Sequence, residues 1–155
     1  MNSIILDLQI ACSILQGLPQ ESDFLRWVSA ALPEYNQTKE ITIRLVDEQE
    51  ICTLNWIFCK KKQPTNILSF PSTVPSYVKL PLLGDLVMCR QIIELEACVQ
   101  KKLLEAHWAH MTIHGSLHLL GYNHSCQYTA EKMETLETKI IMLLGYPDPY
   151  IISAE

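Results

Sequence analysis

The segment HWAHMTIHGSLHLLGYNH, residues 107–124, holds all five histidines of the chain and reads as a helix that runs to about residue 120 and stops at a glycine. His114 and His118 are four apart, so on a helix both imidazoles project from one face and can share one ion. Continued helix would carry His124 about 15 Å along the axis from His114, at a rise of ~1.5 Å per residue, and out of any coordination sphere. Gly121 resolves this. A glycine three residues past His118 can adopt the left-handed backbone that ends a helix, so that Gly121, Tyr122 and Asn123 fold the chain back and return His124 to the same ion. The motif is H-x3-H-x2-G-x2-H.

Three neutral histidines with an open fourth position form the donor set of a catalytic Zn²⁺, which polarises a water there. The spacing matches the zinc core of metzincin proteases, in which the residue after the first histidine is a glutamate that takes a proton from the water. Here that residue is Gly115, which has no side chain to do so. The expectation is one zinc ion on His114, His118 and His124, with Gly115 counting against proteolysis. His110, one turn before His114, is expected to hydrogen-bond beside the ligands without ligating, and His107 to lie on the surface. Cys126 would close the site to water as a fourth ligand and is left outside it. Asp85, in a GDL turn at a strand end, is left unassigned.

Outward from this segment, short elements follow one another closely. Strands are expected at 3–10, at 41–47 (ITIRLVD), in TNILSFP and in LLGDLVM. Helices are expected at 21–32, ended by Pro33, and at about 48–59, 89–103, 105–120 and 127–144. Asp47 is the expected cap of the second helix, whose buried stripe is Ile51, Leu54, Asn55 and Phe58. In the last helix the stripe is Ala130, Met133, Leu136, Ile140 and Leu143, terminated by Gly145. The proline-spaced segment up to Pro81 is an expected loop. With no internal repeat or linker, residues 1–155 are expected to form one domain.

The chain has 155 residues, of which 48% are hydrophobic and 19% charged, enough for one core without a stabilising staple. Its 12 Lys plus Arg against 17 Asp plus Glu give a net charge of −5, which excludes a protein that coats nucleic acid with its whole surface. Any RNA contact must be local, and the one dense basic run is Lys60, Lys61 and Lys62. Six cysteines are scattered without a C-x-x-C pair, which reads as a reduced, cytoplasmic protein. All but Cys59 and Cys126 are expected to be small buried hydrophobes. The apolar start SIILDLQIACSIL lacks a basic n-region and carries Asp7 and Gln9, so it reads as a strand and not a leader. No run approaches the ~20 apolar residues of a membrane span.

The blocks TNILSFP, LLGDLVM, HWAHMTIHGSLHLLGYNH, the helix with Met133 and Glu137, and the terminal LGYPDPY together resemble the YbeY family of bacterial endoribonucleases, over roughly residues 40–150. The resemblance implies a single-domain α+β fold, with a small mixed β-sheet packed by helices and a metal site at the end of a central helix. It implies single-strand-specific RNA cleavage dependent on Zn²⁺, with His114, His118 and His124 as ligands. It also implies rRNA and ribosome partners, with roles in maturing the 3′ end of small-subunit (16S) rRNA and in ribosome quality control. DNA and membrane partners are not implied.

Two positions depart from the family pattern. Asn123 stands where an aspartate usually precedes the last histidine, and it suits the turn equally well. Cys59 stands where the family places an arginine facing the metal site. An arginine fork can hold a phosphate and offset developing charge, and a cysteine cannot. Lys60 or Lys61 can meet a phosphate only as a point charge. The alternative to an active nuclease is therefore a weakly catalytic or non-catalytic ribosome-assembly factor with a structural zinc.

Overall fold

Alternation in ITIRLV places Ile41, Ile43 and Leu45 on one side of a strand and Thr42 and Arg44 on the other, and the first three are buried. This strand is the second of four in the computed structural model, which describes residues 3–32, 38–72 and 82–151. In chain order the elements are β1 (Ser3–Ile10), α1 (Glu21–Ala31), β2 (Thr38–Val46), α2 (Glu48–Cys59), β3 (Ile67–Pro71), β4 (Leu82–Cys89), α3 (Arg90–Val99), α4 (Leu104–Leu119) and α5 (Gln127–Leu143). Pro33 and the expected loop at 73–81 lie outside the described residues.

The sheet order is β1-β2-β4-β3. β1, β2 and β4 run parallel, and β3 closes one edge antiparallel to β4, so the single domain is α+β with a mixed sheet, as expected. Ile43 pairs with Leu8 on one side and Leu86 on the other, which aligns the apolar rows of the three parallel strands. On that face α1 and α4 pack through Phe24, Trp27, Trp108, Ile113 and Leu117, all essentially without exposed surface. Phe24 meets Trp27 and Trp108 edge-on, with ring centroids 5.4 and 6.1 Å apart. Each such side chain contributes about 1.5–3 kcal/mol by leaving water. A smaller cluster of Val46, Ile51, Leu68, Val87 and Cys89 seats α2 on the opposite face.

Helix α4 is buried on nearly every side, from His107 to Leu119, as only a helix at the centre of a fold can be. Its polar residues are accommodated internally: Thr112 Oγ1 donates to the Trp108 carbonyl at 2.8 Å and Ser116 Oγ to the Thr112 carbonyl at 2.7 Å.

Some sequence expectations are corrected. Asp47 occupies the cap position of α2 but makes no side-chain cap. Its carboxylate instead accepts from the Ser13 backbone N–H at 2.9 Å and from Gln91 Nε2 at 2.6 Å, because the ends of β1, β2 and β4 converge there. Asp85 lies within β4, paired with Phe70 and Thr42, and not in a turn. Phe58 and Leu143 leave their helical stripes for the surface, at 61% and 78% exposure, and Phe58 meets the Phe70 ring of β3 edge-on with centroids 5.0 Å apart. Cys98, expected buried, is exposed on the outer side of α3; all six cysteines are free. No helix of the described residues is long and apolar enough to cross a membrane.

Candidate metal centre

The turn after α4 is built as the glycine spacing predicts. Gly121 has φ +101°, its N–H donates to the His118 carbonyl at 3.0 Å, and the Tyr122 N–H reaches back to the Leu117 carbonyl at 3.1 Å. These are the paired bonds of a Schellman ending. Asn123 then accepts from the Ser125 backbone and hydroxyl, at 3.2 and 2.8 Å, which is the turn role expected of it. The chain reverses and sets the His124 ring 5.0 Å from that of His118 and 5.8 Å from that of His114.

One nitrogen from each of His114, His118 and His124 lies within 4.8 Å of the others, so the three form a cluster that could hold a metal ion. The Nε2 atoms of His114 and His118 are 3.1 Å apart. Two nitrogens each ~2.05 Å from a tetrahedral ion stand roughly 3.3 Å apart, so this pair fits. Burial, reinforced by the neighbouring His114 and His124, holds the His118 ring below its ordinary pKa, which favours the neutral form that ligates. His114 and His118 are half-buried and His124 is exposed, which leaves the cluster open on one side.

The His114 ring is oriented from behind. Its Nδ1 hydrogen-bonds to the carboxylate of Glu137, on α5, which has no exposed surface. A carboxylate only accepts here, so Nδ1 carries the proton and Nε2 presents its lone pair to the cluster. His110 Nε2 donates to the other carboxylate oxygen at 3.1 Å, and the Tyr150 hydroxyl donates to that same oxygen. Burial alone would push the Glu137 carboxyl up, but the hydrogen bonds from His110 and His114 outweigh it and hold the group at about 2. Burial lowers His110 against the pull of Glu137, while burial and Glu137 together raise Tyr150.

Glu137 is the functional residue that a motif search misses. Its signal was its place on an apolar stripe, four after Met133 and three before Ile140, where a carboxylate needs a partner. His110 lies beside the cluster without joining it, as expected, though its partner is a carboxylate. His107 is a correction: it is 2% exposed, with Nε2 2.9 Å from Glu96, which also accepts from Asn66 Nδ2 at 3.1 Å. Cys126 is exposed at the start of α5 and is not part of the cluster.

Gly115 faces away from the cluster. A Cβ there would come 2.5 Å from Ile67 Cδ1 and 2.9 Å from Leu86 Cδ2, on β3 and β4. The missing side chain is what lets α4 approach the sheet, and a glutamate has no room there. Cys59 is the exposed last residue of α2. Of the lysines after it, Lys60 and Lys62 set their ammonium groups 5.8 and 4.8 Å from the centre of the Trp56 ring.

Residues 16–145 match the model of a family described as endoribonuclease YbeY. The fold is similar to the solution structure of TM1509 from Thermotoga maritima, with a TM-score of 0.51 and 22% identity over 95% of this chain and 99% of that one.

Proposed function

Because the chain belongs to the YbeY endoribonuclease family, we propose that it cleaves single-stranded RNA with one Zn²⁺ held by His114, His118 and His124. Family membership supports a metal-dependent endoribonuclease role in rRNA maturation, with RNA and ribosome as partners. The finer assignment is maturation of the 3′ end of 16S rRNA and ribosome quality control, in the cytoplasm.

The observation that carries this reading is the convergence of three histidine nitrogens within 4.8 Å, with His114 oriented by a buried carboxylate. A bound ion supplies Lewis-acid polarisation of a phosphodiester oxygen and a lowered pKa for water. The protein's own contribution is positional: Glu137 holds the His114 proton on Nδ1, and the Gly121 turn presents His124. Gly115 points into the sheet, so no side chain next to His114 serves as the base of a protease.

Cleavage is proposed to be weakened by Cys59, which leaves the site without the family arginine. The test is a cleavage assay on single-stranded rRNA with protein of measured metal content. Loss of cleavage on chelation and in His118→Ala, together with loss of the metal, supports the reading. Metal-free protein cutting equally well defeats it. A second reading, an assembly factor with a structural ion, is favoured by Cys59 alone and predicts stoichiometric metal without cleavage.

A further inference from the structure

Beyond Gly145, which ends α5 with φ +95°, the chain passes along the first turns of α4 as a short strap, Tyr146 to Tyr150. Pro147 and Pro149 restrict its backbone, and the Tyr150 N–H donates to the Asp148 carboxylate at 2.8 Å, closing a turn. Both tyrosine hydroxyls of the strap are bonded. That of Tyr146 accepts from Arg26 Nη2 at 3.1 Å and Trp27 Nε1 at 3.2 Å and donates to Glu105 at 2.8 Å, which uses its one proton and both lone pairs. That of Tyr150 donates to Glu137, and the Tyr150 ring meets His110 edge-on with centroids 5.3 Å apart.

Glu137 has no exposed surface, so protein groups must supply its hydrogen bonds. One oxygen takes the His114 Nδ1–H, and the other takes His110 and Tyr150. The last torsion of a glutamate is soft, so the plane of its carboxylate is set by its donors. His110 and His114 both stand on α4, one turn apart. Tyr150 therefore supplies the bond that reaches Glu137 from outside that helix. Anchored at its other end through Tyr146, the strap fixes the carboxylate from a third direction, and with it the line along which the free oxygen meets His114.

Resting on the reading of the three histidines as metal ligands, we infer that Tyr150 is a positioning residue for the metal cluster: its hydroxyl fixes the Glu137 carboxylate, which holds the proton of His114 on Nδ1 and leaves Nε2 free for the ion. The hold of the cluster on its ion is thus set in part by a segment that follows the last helix.

The test is Tyr150→Phe, which keeps a ring against His110 and removes only the hydroxyl. In metal-free protein, nitrogen-edited NMR spectra distinguish a histidine protonated at Nδ1 from one protonated at Nε2. Native His114 should be the Nδ1–H form, and in the variant it should become a mixture of the two. Zinc affinity, read by competition with a fluorescent chelator, should fall about tenfold, the lower end of the loss typical when the partner behind a ligand ring is removed. An unchanged His114 signal, or zinc held as tightly as by the native chain or more so, overturns the assignment. So does a lowered melting temperature as the sole effect, the mark of a residue that only packs. Native protein that takes up no zinc would defeat the metal reading, and the His114 spectrum alone would then decide whether Tyr150 positions the ring.

Discussion

His114 and Glu137, 23 residues apart in the chain, are joined by a hydrogen bond from an imidazole that faces the cluster to a carboxylate with no exposed surface. Partners of this kind orient ligand rings and raise their basicity, and their loss typically costs roughly 10–100-fold in metal affinity. Glu137→Gln keeps the shape but donates where it should accept. Its metal affinity, measured by competition with a chromogenic chelator, should fall within that range. An unchanged affinity would leave Glu137 as a packing residue only.

The same carboxylate makes the metal-free protein sensitive to acid. Its pKa is lowered on folding, from an ordinary 4.5 to about 2, so the unfolded chain binds the proton more readily. Its contribution is therefore complete above about pH 4.5 and is lost as pH falls toward about 2. On the order of 3 kcal/mol is involved. Buried His110, also lowered on folding, acts in the same direction, since its protonation favours the unfolded chain. Denaturant midpoints across this window should fall steeply for the native chain and less steeply for Glu137→Gln. Parallel curves would assign the acid sensitivity elsewhere.

Gly115→Ala sets two terms against each other. Alanine gains ~1 kcal/mol of helix propensity over glycine. Against this, the new methyl meets Ile67 and Leu86 below 3.0 Å, and overpacking of this kind costs about 1–3 kcal/mol. A net loss of about 1 kcal/mol is expected by urea denaturation, and Gly115→Glu should not fold. A stabilised Gly115→Ala would show that α4 can retreat from the sheet.

Cys59→Arg restores the family residue at an exposed helix end. RNA cleavage should rise about tenfold or more, equivalent to a barrier lower by ~1.4 kcal/mol, with metal content unchanged. No change in rate would assign Cys59 no part in the activity.

Periodicity and punctuation marked most of the fold. The strand at 3–10 and the helix at 48–59 have the expected bounds, and Gly121 ends α4 as its spacing requires. These are local properties, set by side-chain alternation and backbone freedom within a few residues. What was not legible depends on distant partners. His107 reads as a surface residue until α3 brings Glu96 to it, and Asp47 reads as a cap until Ser13 and Gln91 arrive from other segments. The candidate ligands followed from spacing along ten residues, whereas the carboxylate that aims one of them comes from the next helix.

β3 has five residues and, among the described residues, one strand neighbour, β4, yet α4 rests on it through Gly115. An edge strand with bonds on one side is among the first parts of a sheet to open by local unfolding. Amide exchange in Ile67–Pro71 would thus report on more than a sheet margin. Each excursion of β3 takes away the floor beneath the helix that carries His114 and His118, so the lifetime of the assembled cluster is bounded by the breathing of the shortest strand.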